Sequence, residues 1–403
     1  MTLARIESMA YGGHGVARID GFVHFVPLSA PGDLVEIEPA VRKKRYSFSR
    51  LVRVVEPSPL RTSPFCPYYG ECGGCQLQHI HYPEQLKLKQ KIFVEQMKRI
   101  GRWPDLSEPE IYGSETKRIR MRFKIRKGRV GLYKARTHEV YPIEECGIAS
   151  AGVNRLLGLL RKFPGSITRE WRGELTVLAR SNEILLSTDL PEPWARNLYD
   201  LLGREVQGSI IRRQGRRIVL GQPYLAVPVR NVKINQAPDV FGQVNPEVNE
   251  VLVDEICQFL QGMETVVDLY CGCGNITLPL AKVCKEVIGI ERDIHSIDAA
   301  QYSASMQGIR NVRFIASDAV DADMEPAEGV VLDPPRAGLP VQLIRKIGAL
   351  RPRKIAYVSC NPSTLARDIL RFKEIGYSIR SIRLFDMFPH TYHMESLVLL
   401  EEE

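Results

Sequence analysis

From about Pro246 to the last residue, strand-like and helix-like segments alternate without a break. "TVVDLY", "EVIGIE", "VRFIAS", "GVVLD" and "KIAYVS" are short apolar runs rich in β-branched residues. Helical patterns separate most of them: "ITLPLAKVC", "SIDAAQYSASMQ" and "VQLIRKIGAL", with "TLARDILRFKEIG" after the last. "YSIRSIRLFDMF" and "HMESLVLLEE" close the series as two more strands. Alternation of this kind predicts a Rossmann-like, doubly wound α/β sheet with helices on both faces. Ligands of such sheets bind beyond the carboxyl ends of the strands. The loops that follow each strand are therefore the place to look for chemistry.

In the first of them, "VVDLYCGCGNITL", Gly272 and Gly274 let the backbone approach a ligand closely. The next strand ends in Glu291, 23 residues after Asp268, where an acid can accept from both ribose hydroxyls of a nucleoside. The strand after that ends in "SDA", which puts Asp318 where an adenine amino group could be read. One such acid alone is an ordinary helix cap. Acids at successive strand ends predict an adenosyl pocket. S-adenosylmethionine suits it better than a nucleotide, because the chain has no phosphate-binding lysine loop. The dinucleotide fingerprint GxGxxG is also missing from the turn. "VVLDPPRAG" then supplies Asp333 on a loop stiffened by two prolines. "AYVSCNPSTLARD" puts a thiol, Cys360, where a strand stops and a helix starts, with Ser363 as the expected cap.

The rest of the chain divides into three. Residues 1–58 carry short alternating strands between turns, the signature of a small OB-like β-barrel. Residues 59–82 hold a proline-rich linker and the loop "CPYYGECGGC". Residues 83–240 open with a helix and continue as mixed strands and helices, an α+β region. The sheet domain is then 241–403.

The net charge of +8 favours a polyanionic partner, and its distribution is more telling. Lys117 to Arg136 contains ten cations and no acid. Within it "RIRMRFKIR" alternates, so Arg118, Arg120, Arg122, Lys124 and Arg126 should share one strand face, opposite Ile119, Met121, Phe123 and Ile125. A bare row of like charges predicts contact with RNA phosphates. Smaller basic stretches start at Val41 and Ile210, the second as a hairpin turning at Gln214 and Gly215. No apolar run reaches the roughly 18 residues of a membrane span, and "MTLARIESMAYGG" lacks the basic and apolar regions of a secretory signal. A cytoplasmic protein without a membrane partner is expected. In that compartment Cys66, Cys72, Cys75 and the distant Cys146 read as ligands rather than disulfides, and spacing alone leaves zinc and an iron–sulfur cluster both open.

"DLYCGCGNITL", "LDPPRAG", "YVSCNPSTLARD" and "FPHTYHMESL", with "FGQVN" upstream, occur in an order and spacing that resemble the uracil-5-methyltransferases of RNA. The resemblance extends over nearly the whole chain. It implies a TRAM-like barrel, a structural [4Fe–4S] cluster on the four cysteines and S-adenosylmethionine as cofactor. It implies cofactor contacts at Gln243, Tyr270, Asn275, Glu291, Asp318 and Asp333. It also implies Cys360 as nucleophile and Glu395 as general base.

The residue types suit that chemistry. Carbon 5 of uracil is a poor nucleophile until a thiolate adds to carbon 6, and a base must later take the proton from carbon 5. Cys360 should then be partly ionised, close to donors or a helix start. The apolar run Leu397–Leu400 points to a partly buried Glu395; His390 and His393 are its rivals as base. The target base has to be extruded or already unpaired. The resemblance favours 23S ribosomal RNA as substrate, with the T loop of transfer RNA as the alternative, and a monomer suffices. An amino-methylating enzyme would also carry an acid–proline–proline loop, but it needs no thiol. A non-catalytic iron–sulfur RNA-binding protein would bind no cofactor.

Overall fold

The computed structural model describes residues 1–162 and 172–403. Six strands between Thr2 and Glu56 form the amino-terminal sheet, curled around a core of Ala4, Ile6, Ala17, Val26, Val35 and Ile37. These small, mostly β-branched side chains are what a narrow barrel interior admits.

A seven-stranded sheet forms the middle of the molecule. Its strand Arg120–Arg126 pairs antiparallel with Arg172–Arg180, and the expected alternation holds underneath: Ile119, Met121, Phe123 and Ile125 are all buried. Strands Gly208–Arg213 and Arg216–Gly221 form the expected hairpin, with Gln214 and Gly215 both at positive φ (51° and 75°).

The carboxyl-terminal sheet has eight strands. In chain order they are β1 (Glu110–Gly113), β2 (Thr265–Leu269), β3 (Glu286–Glu291), β4 (Val312–Ala316), β5 (Gly329–Leu332), β6 (Lys354–Ser359), β7 (Tyr377–Asp386) and β8 (Glu395–Glu402). Their spatial order is β4-β3-β2-β5-β6-β8-β7-β1. Strands β2 to β6 are parallel, and β8 lies antiparallel to both β6 and β7. The strand order reverses at β2, between β3 and β5, so the crevice for a ligand opens there.

Two elements grouped with the middle region by their position in the sequence pack elsewhere. The helix Tyr82–Gly101 lies on the carboxyl-terminal unit, with Phe93 and Met97 buried in the same core as Leu365 and Ile369. Strand β1 adds to the outer edge of that sheet, parallel to β7. Four residues of "EIYG" are too few to show a period, so only the tertiary pairing identifies this strand. No helix among the described residues is long and apolar enough to cross a membrane.

Candidate active site

The loop after β2 turns through three consecutive features. Tyr270 has φ 65°, and Gly272 and Gly274 follow at 53° and 82°. A tyrosine held in the left-handed region is strained, a cost that tends to persist where a site requires it. The Gly272 N–H points at Glu291 Oε2 (3.3 Å), and Glu291 Oε1 accepts from Asp293 N (2.9 Å). Burial raises the Tyr270 hydroxyl to about 12, and Asp318 and Glu291 push in the same direction. Gln243, Tyr270, Asn275 and Asp333 line one narrow cleft together with Gly272 and Phe241. Asn275 is held by paired side-chain hydrogen bonds with Asn249, each 2.9 Å. Asp318 stands apart on the exposed rim, where its Oδ1 accepts from Val320 N (3.0 Å) in a local turn. Cys271 and Cys273 are buried in the cleft wall, while Cys257 and Cys284 fill the core.

The ladder between β6 and β8 brings the thiol and the carboxylate together. Its last pair is Ser359 and Ser396, and Ser396 Oγ also donates to the Ser359 carbonyl (2.9 Å). Cys360, in the bend just after β6, and Glu395, the first residue of β8, adjoin that pair, and the Glu395 carboxyl acts electrostatically on the thiol. Glu395 is 5% exposed, and burial with the nearby Asp333 pushes its carboxyl well above the usual range. Burial also lifts Asp333 to about 7.

The Cys360 thiol is not ionised by this setting. Burial, then Glu395, push it up to about 11, against the opposing pull of Arg336. The helix that follows, Pro362–Glu374, is capped by Asn361, whose side chain accepts from Ser363 N (3.1 Å); Ser363 itself bonds Gln96. The expectation of Ser363 as cap is thus corrected by two residues: Asn361 is the cap and Pro362 takes the first helical position, which its fixed φ suits. Arg336, in the "DPPRAG" loop, is the site residue that sequence reasoning passed over. Its charge acts on Cys360, Glu395, Tyr11 and His393.

Neither histidine is placed as a free base. His390 is 6% exposed, with Nε2 3.0 Å from Glu115 and Nδ1 against Gln85. Burial lowers His393 to about 4, so it is neutral near pH 7 but a weak base.

Cys66, Cys72, Cys75 and Cys146 line a single cavity of about 520 Å³, which also has Arg118, Phe241 and Arg336 on its wall. Phe241 is 68% exposed and faces both this cavity and the cofactor cleft. Burial raises the thiols of Cys72, Cys75 and Cys146. Arg118 Nε and Nη2 are buried and find no hydrogen-bond partner among the described residues. Among the described residues no three His, Cys, Asp or Glu side chains are set closely enough to hold a single metal ion.

The expected uniform row of bare cations is not formed. Arg122 and Arg126 are exposed, but Lys124 pairs with Glu174, which also lies 3.4 Å from Arg122. Arg120 turns inward and donates to the carbonyls of Ala237 (3.2 Å), Pro238 (2.8 Å) and Val240. Arg118 turns toward the cysteines and lies over the Phe388 ring, 5.4 Å from its centroid. Carbonyls and sulfurs far away in sequence attract these two side chains, which strand alternation cannot foretell.

Residues 81–403 match the family model described as tRNA (Uracil-5-)-methyltransferase, and residues 3–60 match the TRAM-domain model of tRNA (uracil(54)-C(5))-methyltransferase. The chain belongs to the RNA uracil-5-methyltransferase family. Similar curated proteins include an uncharacterized RNA methyltransferase of Aquifex aeolicus, 33% identical over 98% of this chain and 97% of its own. Another is the 23S rRNA (uracil(1939)-C(5))-methyltransferase RlmD of Legionella pneumophila, 32% identical over 99% of this chain and 97% of its own. Among solved structures, the Pyrococcus abyssi tRNA (uracil-54, C5)-methyltransferase bound to S-adenosyl-L-homocysteine superposes with a TM-score of 0.78 at 25% identity, covering 99% of this chain and 100% of that one. This uracil-5-methyltransferase is therefore an S-adenosylmethionine-dependent enzyme acting on RNA, with a mixed α/β fold and an amino-terminal TRAM domain.

Proposed function

We propose that the enzyme methylates carbon 5 of a uridine in 23S ribosomal RNA, with Cys360 as nucleophile and Glu395 as general base. The observation that carries this reading is that Cys360 and Glu395 adjoin the last β6–β8 pair, Ser359 and Ser396, and that the Glu395 carboxyl acts electrostatically on the Cys360 thiol. S-adenosylmethionine supplies a methyl group on a sulfonium when bound, and Gln243, Tyr270, Asn275, Glu291, Asp318 and Asp333 are the residues proposed to hold it. Cys360 adds to carbon 6 of the extruded uracil, which makes carbon 5 nucleophilic. Once carbon 5 carries the methyl group, Glu395 takes its proton and Cys360 leaves as thiolate. A carboxylate whose pKa is raised by burial is the stronger base for that carbon-bound proton. Arg336 favours the thiolate against burial. Arg122 and Arg126, left exposed, would meet phosphates directly.

The cysteine quartet is read as the ligand set of a [4Fe–4S] cluster: four thiolates serve either zinc or such a cluster, and the resemblance to the RNA uracil-5-methyltransferases favours the cluster. The orphaned guanidinium nitrogens of Arg118 fit the negative charge that four thiolates bring to such a cluster. The 32% likeness to a ribosomal-RNA enzyme favours 23S RNA. The transfer-RNA alternative is favoured by the structural likeness at 25% identity.

Total RNA carrying 5-fluorouracil stalls this reaction before proton removal. Incubation with the enzyme and S-adenosylmethionine should leave a covalent complex joined through Cys360, and sequencing the captured RNA should place it in 23S RNA. Capture of the transfer-RNA T loop would select the alternative. No conjugate, or methylation by Cys360→Ala, would overturn the mechanism.

A further inference from the structure

One contact joins the two ends of the fold. The Tyr11 hydroxyl, from the barrel, donates to the carbonyl of Cys360 (3.4 Å), 349 residues along the chain. The β6–β8 ladder stops at Ser359 and Ser396, so this carbonyl lies beyond its last pair and takes its hydrogen bond from outside the sheet. The Tyr11 ring meets Tyr392 edge-on, with centroids 5.5 Å apart, and Tyr392 lies against His393 at 4.1 Å. Both belong to the loop that leads into Glu395.

The turn that presents Tyr11 is itself wedged in place. Gly13 has φ 75°, and a Cβ there would stand 3.1 Å from Cβ of Gln76 and 3.3 Å from Cβ of Tyr392. Gln76 and Leu77 donate their N–H groups to the His390 carbonyl (3.0 and 2.9 Å). Barrel turn, cysteine segment and the loop before β8 thus interlock around the nucleophile. The hydroxyl is half-buried among groups of the site itself: Cys360, Glu395 and Arg336 all act on it electrostatically. A tyrosine that merely filled an interdomain gap would need none of these partners.

We propose that Tyr11 is a positioning residue of the active site: carried by the barrel, it fixes the Cys360 main chain and the Tyr392 ring so that the thiol is aimed at carbon 6 of the bound uracil. The proposal rests on the reading of Cys360 as nucleophile. It makes the amino-terminal barrel a part of the catalytic centre as well as a grip on RNA.

The test uses the full chain. Wild type, Tyr11→Phe and Tyr11→Ala are compared in steady-state methylation of RNA and in the rate of conjugate formation with 5-fluorouracil RNA, with Cys360→Ala as control. Misplacing a reacting group by about 1 Å costs up to roughly a hundredfold in rate. Tyr11→Ala should therefore lower kcat and the conjugation rate at least about tenfold, with KM for RNA little changed. Tyr11→Phe keeps the ring contact, loses the hydrogen bond, and should fall in between. Unchanged kcat and conjugation in Tyr11→Ala would overturn the proposal, as would a rise in KM alone, which marks an RNA contact. A lower melting temperature with normal kcat would also overturn it, because that marks a merely structural residue. If wild type forms no conjugate, or Cys360→Ala still methylates, the nucleophile assignment fails first and the role of Tyr11 falls with it.

Discussion

The Lys89 ammonium and the Asp386 carboxylate are both fully buried, with Nζ and Oδ1 2.6 Å apart. Asp386 ends β7, and Lys89 projects from the helix Tyr82–Gly101 and also reaches the Phe388 carbonyl (3.4 Å). The pair therefore ties that helix to the start of the loop that ends at Glu395. Removing one partner of a buried pair leaves the other charge uncompensated, at about 3–5 kcal/mol. Lys89→Met should lose about that much unfolding free energy in urea titration, and Lys89→Met with Asp386→Leu should recover most of it.

Cys360 should alkylate slowly in the free enzyme. With the thiol pushed up to about 11, its carbamidomethylation by iodoacetamide should still be rising with pH above 9. Arg336 favours the thiolate, so Arg336→Ala should slow the reaction at pH 8 several-fold. Mass spectrometry of the Cys360 peptide separates it from the other eight cysteines.

The carboxyl of Asp268 is buried beneath the glycine turn, accepts from Thr277 (2.6 Å), and is lifted from 3.8 to about 7, chiefly by burial. Its folded pKa lies above its unfolded one. The folded state thus holds a proton that the unfolded chain has lost, and stability falls as pH rises from about 4 to about 7. Asp268→Asn keeps an acceptor for Thr277 without the titration. Its gain over wild type should be larger at pH 8 than at pH 5 by about 2–3 kcal/mol in urea unfolding.

If the four cysteines hold the proposed cluster, Arg118 should matter to it more than to RNA. Arg118→Leu removes the buried cation beside Cys75 and Cys146, and the protein purified without oxygen should hold less iron and sulfide per chain. Arg122→Ala should keep its iron and instead weaken RNA binding, with a shallower salt dependence.

The sequence announced β2 to β6 because each is a local apolar run closed by a turn residue, and the candidate acids follow each strand directly. Gly272 and Gly274 were legible for the same reason, since a tight turn leaves its mark within a few residues. Directions decided at long range were not legible. Arg120 bends toward carbonyls 117 to 120 residues later in the chain, and Tyr11 reaches a carbonyl in another domain. Arg336 lay within a quoted motif, but only the fold shows that its charge reaches the thiol. Asn361 displaced Ser363 as cap because Pro362 can start a helix.

Each residue of strand β1 is made 273 residues before its partner in the segment of β7 that it pairs with, Arg383–Asp386. On the ribosome, "EIYG" leaves the exit tunnel long before the strand it pairs with exists, and the whole middle sheet is synthesised during the wait. The edge of the catalytic sheet therefore closes only after β7 has emerged, when strands β2 to β6 and the middle sheet have all been made already, so that this late, long-range pairing follows the rest of the fold.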